Sequence, residues 1–79
     1  MDKTEVLGKL TPIFRSIFRN ENLVLSNELS ANDVDRWDSL SHMLLITEVE
    51  QRLSFKFKLK ELNRMRNVGD MVDIIVSKF

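Results

Sequence analysis

Ser39 and His42 stand three residues apart in the stretch Trp37-Asp38-Ser39-Leu40-Ser41-His42, which holds the chain's one tryptophan and one histidine. On a helix, that spacing brings a hydroxyl and an imidazole to the same face. A nucleophile beside a base is the start of hydrolase chemistry. The rest of that chemistry is missing from the sequence. No carboxylate is obviously placed to orient the imidazole, and no glycine-rich turn offers an oxyanion hole. A chain of 79 residues also has little material for a concave site. The pair is therefore read as two neighbours rather than a catalytic dyad, with His42 on an exposed patch.

Asp38 suits a helix N-cap, because its carboxylate accepts hydrogen bonds from the free N–H groups of a first turn. Ser39 then takes the first helical position and exposes its hydroxyl at the positive end of the helix dipole. An anionic group attached there is stabilised by the dipole and by unpaired N–H donors. Asp-Ser at a helix start is also ordinary capping chemistry, so the surroundings must decide between the two.

The helix that would carry this site runs from Ser39 to about Leu53, with no glycine or proline to break it. Leu45, Ile46, Val49 and Leu53 share one face. Leu40, Met43 and Leu44 cannot all join them. The arc is read as a core face plus an exposed patch for partners, rather than a helix buried on two sides. Methionine suits a surface that accepts more than one partner.

A first helix is expected from about Thr4 to Arg19, its apolar face made by Val6, Leu7, Leu10, Ile13, Phe14, Ile17 and Phe18. Pro12 falls inside it, and a kink is expected there, since a proline in a helix interior costs about 3 kcal/mol. Asn20 to Asp35 is a long connection full of turn signals, pinned by Leu23, Val24, Leu25, Leu29 and Val34. Asp33, Asp35 and Asp38 fall in loop and cap positions, where aspartate is expected without any metal. Beyond the second helix, Phe55 to Leu59 alternates apolar and polar like a strand. With no partner strand, it is read as an extended linker burying Phe55 and Phe57. A short third helix is expected over Lys60 to Arg66, with Leu59, Leu62 and Met65 on one side. Asn67 is read as the cap of a last helix, Val68 to Lys78. Lys56, Lys58, Lys60, Arg64 and Arg66 form the only basic run, read as a solvated face, with contact to an acidic partner as the other reading.

One small domain, residues 1–79, is the expected organisation. It can bury roughly 60% of the surface its unfolded chain exposes. The absence of cysteine excludes disulfides and a cysteine nucleophile, and a single histidine argues against structural zinc. Twelve basic residues balance twelve acidic ones, so no strong field draws the chain to nucleic acid. The longest apolar run, Met43 to Ile46, is far short of a membrane span, and the polar start Met1-Asp2-Lys3-Thr4-Glu5 is unlike a signal peptide. A soluble, cytoplasmic protein is expected.

Asp38-Ser39-Leu40 resembles the Asp-Ser-Leu signature of acyl carrier proteins, and the resemblance covers nearly the whole chain. A helix precedes a long loop ending in Trp-Asp-Ser-Leu. A helix ending in Glu-x-x-Leu follows, then a short extended piece and a final helix opening near Val68-Gly69-Asp70. The resemblance implies an all-α, four-helix bundle with a long loop between the first two helices and a short third helix. It implies that Ser39 carries covalent 4′-phosphopantetheine donated by coenzyme A, beside the Asp38 cap. The arm's thiol would hold acyl groups as thioesters. Partners would be a phosphopantetheinyl transferase and acyl-loading and acyl-transfer enzymes, meeting Leu40, Ser41, His42, Met43 and Leu44. The protein itself would be a free-standing monomer without catalysis of its own.

Three features depart from the family's commonest pattern. Net charge is zero, where free-standing carriers are mostly strongly acidic. Ser41 and Leu44 stand where carriers of housekeeping fatty-acid synthesis tend to have acids. Ser54 stands where glycine is usual, just past the end of the second helix. Trp37 before Asp-Ser-Leu, with no acids at Ser41 and Leu44, resembles carriers of specialised lipid, polyketide or surface-polysaccharide pathways more than the housekeeping carrier. The nearest alternative is an aminoacyl or peptidyl carrier. From another class, the rival is a small helical adaptor with no prosthetic group.

Overall fold

The computed structural model describes residues 1–79. Its four helices are α1 (Lys3–Phe18), α2 (Ser39–Leu53), α3 (Leu59–Leu62) and α4 (Val68–Lys78), and it contains no strand. The apolar periodicity of α1 accounts for its packing. Val6, Leu10, Ile13, Phe14 and Phe18 are buried, while Leu7 and Ile17 pack at the edge of the core. This face meets both α2 and α4. α2 contributes Leu45, Ile46 and Val49, and α4 contributes Val68, Met71, Val72 and Ile75. Full burial of such side chains stabilises by about 1.5–3 kcal/mol each relative to exposure.

Asp2 caps α1, its carboxylate accepting the Glu5 N–H at 2.8 Å. α1 then runs uninterrupted past Pro12. Pro12 and Gly8, whose carbonyl loses its usual donor, both lie on the exposed side. Water can satisfy that carbonyl there, so the helix tolerates the proline. One residue earlier, the Thr11 hydroxyl donates to the Leu7 carbonyl at 2.7 Å. α1 ends one residue before the expected boundary. Arg19 is its C-cap, left-handed at φ 52°, with its N–H bonded to the Arg15 carbonyl.

The connection between α1 and α2 is tied down along its length. Arg15 Nε donates to the Leu23 carbonyl at 2.9 Å. The Val68 and Gly69 N–H groups donate to the Leu29 and Asn27 carbonyls, both at 2.9 Å, which joins this loop to the start of α4. The approach is close enough that a Cβ on Gly69 would sit 2.9 Å from the Asn27 oxygen. Leu23, Leu25 and Leu29 pack on the core, and Val34 and Trp37 enter it. Val24 does not anchor the loop as expected: it is 74% exposed. Its neighbours Leu23 and Leu25 point inward, and successive side chains of extended backbone point to opposite sides.

After α2, Ser54 is left-handed at φ 57° and its N–H bonds to the Glu50 carbonyl. The linker is extended as expected, with Phe57 buried and Phe55 half-buried. Glu50 clamps it through Oε2, which accepts the Phe57 N–H at 2.8 Å. α3 is much shorter than the Lys60-to-Arg66 expectation. It spans one turn, Leu59–Leu62, with Glu61 Oε1 accepting the Lys58 N–H at 2.7 Å. The chain must be extended by Asn67, at φ −155°, to cap α4, so it leaves the helical conformation early. Leu59 does not share the inner side as expected: it is 74% exposed, while Leu62 and Met65 pack on the core. Lys78 Nζ reaches Glu61 at 2.8 Å and joins the end of α4 to α3.

Candidate functional site

The site is built where the long loop turns into α2. Asp38 is extended (φ −119°, ψ −171°) and its Oδ1 accepts the Ser41 N–H at 2.9 Å. Ser41 answers with its side chain, Oγ accepting the Asp38 N–H at 2.8 Å and donating to the Arg36 carbonyl at 2.6 Å. This reciprocal box satisfies donors that a helix start leaves unpaired. The Ser41 N–H, the largest influence on it, holds the Asp38 carboxyl below its ordinary pKa. Asp38 is therefore an anion engaged in capping, as the sequence indicates.

Ser39 is the first residue of α2 and is exposed. Its hydroxyl takes no part in the box, whose bonds belong to Asp38 and Ser41. Leu40, Met43 and Leu44 are 73%, 59% and 55% exposed, which places the expected apolar patch beside it. Ser41 lies in the same turn, but its hydroxyl is already bonded within the chain.

His42 differs from the expectation of an exposed residue. It is half-buried, its ring stacked on Trp37 with centroids 6.1 Å apart and planes 18° from parallel. The Trp37 indole Nε1–H donates to His42 Nδ1 at 3.0 Å. Trp37 is the reason. It is buried against Phe14 and Phe18, with ring centroids 5.6 Å away in both cases, and a buried indole N–H needs an acceptor. His42 lies one helical turn into α2, in reach of it. Burial lowers the His42 pKa. With Nδ1 taken by Trp37, the imidazole is no base for Ser39.

An open groove of about 510 Å³ runs past Ser39, lined by Ala31, Trp37, Asp38, Ser39, His42, Met43, Met65 and Arg66. Its walls are largely apolar, and Arg66 is the one cationic residue among them. No local pattern points to Ala31, Met65 or Arg66 here, since they come from the loop and from the segment between α3 and α4. The other residues of the basic run, Lys56, Lys58, Lys60 and Arg64, are exposed, and Arg66 pairs with Asp70 at 3.1 Å.

The fold is shared with solved carriers. The holo acyl carrier protein from Geobacter metallireducens superposes with a TM-score of 0.86 at 51% sequence identity, over 91% of this chain and 83% of that one. The chain belongs to the acyl carrier proteins. An assigned acyl carrier protein from Mycobacterium tuberculosis shares the fold at 21% identity, with a TM-score of 0.80 over 91% of this carrier and 96% of that chain. No protein-family model and no curated protein matches this carrier in sequence. As a member of the family, it is a carrier without intrinsic catalysis. No helix of the carrier is long and apolar enough to cross a membrane.

Proposed function

We propose that residues 1–79 act as one carrier domain whose Ser39 Oγ bears 4′-phosphopantetheine donated by coenzyme A. In the attachment, Oγ bonds to the phosphorus next to the pantetheine, the pyrophosphate bond breaks, and the nucleotide half of coenzyme A leaves. The hydroxyl proton passes to a base of the transferase. The carrier's own residues present the group. Asp38 and Ser41 fix the first turn, the helix dipole favours the phosphodiester anion, and the groove offers the arm an apolar wall at Met43 and Met65 with a cation at Arg66. When bound, the arm supplies a thiol, which holds acyl groups as thioesters.

The observation that carries this reading is an exposed serine at the first position of α2, within Asp-Ser-Leu, in a chain half identical to a holo carrier. Leu40, Met43 and Leu44 serve as the docking surface for the transferase and for acyl-loading and acyl-transfer enzymes. The neutral net charge and the lack of acids at Ser41 and Leu44 favour a specialised lipid, polyketide or surface-polysaccharide pathway over housekeeping fatty-acid synthesis.

The thioester is testable directly. Incubation with acetyl-coenzyme A and a phosphopantetheinyl transferase should add an acetylated arm, and hydroxylamine should then remove the acetyl group and leave the arm. A modification that resists hydroxylamine entirely would contradict the thioester.

A further inference from the structure

Docking and capping leave Trp37 and His42 unexplained. Trp37 sits at the last residue before the cap, with its N–H bonded to the Val34 carbonyl and its ring wedged between α1 and the start of α2. Its one polar atom bonds across to His42, and the two rings together form one wall of the groove beside Ser39. We propose that Trp37 and His42 are a positioning pair: their hydrogen bond holds the entry to α2 in the form to which the arm is attached, and protonation of His42 releases it. The proposal rests on the reading of Ser39 as the attachment site.

The chemistry of the bond makes it conditional. Nδ1 accepts the indole proton only while it is itself unprotonated, so the neutral ring must carry its proton on Nε2. In the imidazolium both nitrogens are donors, and Nδ1–H would meet Nε1–H head-on. A half-buried cation is also disfavoured by lost hydration. The surroundings do little to offset this. The charged groups sharing the groove are Asp38 and Arg66. Asp38 is engaged by Ser41, and Arg66 is paired with Asp70 from α4 and is itself a cation. α1 meets Trp37 with the phenyl rings of Phe14 and Phe18. Once the bond is lost, Trp37 retains its apolar contacts but no longer ties the loop to the first turn of α2.

Three readouts test the pair. In the unmodified protein, His42 is followed by NMR and Trp37 by fluorescence from about pH 8 to about pH 5. Both should report one midpoint, below the ordinary histidine value of about 6.5. His42→Asn keeps an acceptor near the position of Nδ1 but does not titrate, so its fluorescence should stay flat. Transferase kinetics with coenzyme A are then measured for both proteins, so that the enzyme's own pH profile cancels in the ratio. The ratio of wild type to His42→Asn should be constant above the midpoint. It should fall toward about one tenth one pH unit below it. His42→Leu, which removes the acceptor, should load slowly at every pH, and His42→Asn should load faster than it; thermal melts confirm that each variant is folded. A flat ratio, separate midpoints for the two probes, or a His42 that titrates above the ordinary value would overturn the proposal. No mass gain at any pH would instead refute the reading of Ser39 itself, and with it any role of the pair in attachment.

Discussion

Ser41 closes the cap that Asp38 opens, with Asp38 Oδ1 on the Ser41 N–H at 2.9 Å and Ser41 Oγ on the Asp38 N–H at 2.8 Å. Two serines two residues apart thus have separate duties. Ser41→Ala should lower stability by about 1 kcal/mol, the usual cost of losing a capping partner, and should still be modified. Ser39→Ala should stay within about ±0.5 kcal/mol, as exposed positions do. Urea melts of the two variants check this, and a larger loss for Ser39→Ala would remove Ser39 from its exposed position.

The same cap predicts a response to acid. The Asp38, Glu61 and Asp70 carboxyls are all held below their ordinary pKa, in each case first by a backbone N–H. A carboxyl with a depressed folded-state pKa contributes stability that is present above the unfolded value. That contribution is lost as pH falls through the folded value. Stability should therefore decline from about pH 4 downward, and Asp38→Asn should make the decline shallower. Melting temperatures from neutral pH to about pH 2.5 measure this; an Asp38→Asn profile parallel to wild type would contradict it.

Ser54 ends α2 in a left-handed conformation that strains any residue with a Cβ. Ser54→Gly should stabilise the carrier by about 1 kcal/mol, since relief of the Cβ clash outweighs the added chain entropy. A loss of stability in the same melt would mean that the Ser54 side chain contributes something beyond its backbone.

On α2, neighbours should respond oppositely. Leu45 is fully buried and Leu40 is not. Leu45→Ala should cost about 2–5 kcal/mol. Leu40→Ala should cost little stability but slow loading by the transferase. Normal loading in Leu40→Ala, measured as initial rate at limiting carrier, would take Leu40 out of the docking surface.

Helices whose apolar residues recur with the helical period were legible in the chain. α2 and α4 fall where the spacing of Leu45, Ile46 and Val49 and of Val68, Met71, Val72 and Ile75 puts them. The caps Asp38 and Asn67 were legible too, because their chemistry is local. What required the structure was set at long range. Trp37 reads as a motif residue, yet its ring is core because Phe14 and Phe18, far back in α1, leave space for it. His42 is drawn inward by that same ring. The brevity of α3 follows from the demand that Asn67 be extended, which no periodicity in Leu59, Leu62 and Met65 reveals. The groove beside Ser39 combines three separate segments.

The central claim is that Ser39 Oγ is the point of covalent attachment. Intact mass of the unmodified protein after incubation with coenzyme A and a phosphopantetheinyl transferase, followed by peptide mapping, tests it most directly. Wild type should gain one phosphopantetheine, mapped to the peptide containing Ser39, and Ser39→Ala should gain none while Ser41→Ala still does. Modification persisting in Ser39→Ala, or no gain by the wild type under conditions that load another carrier, would contradict the account.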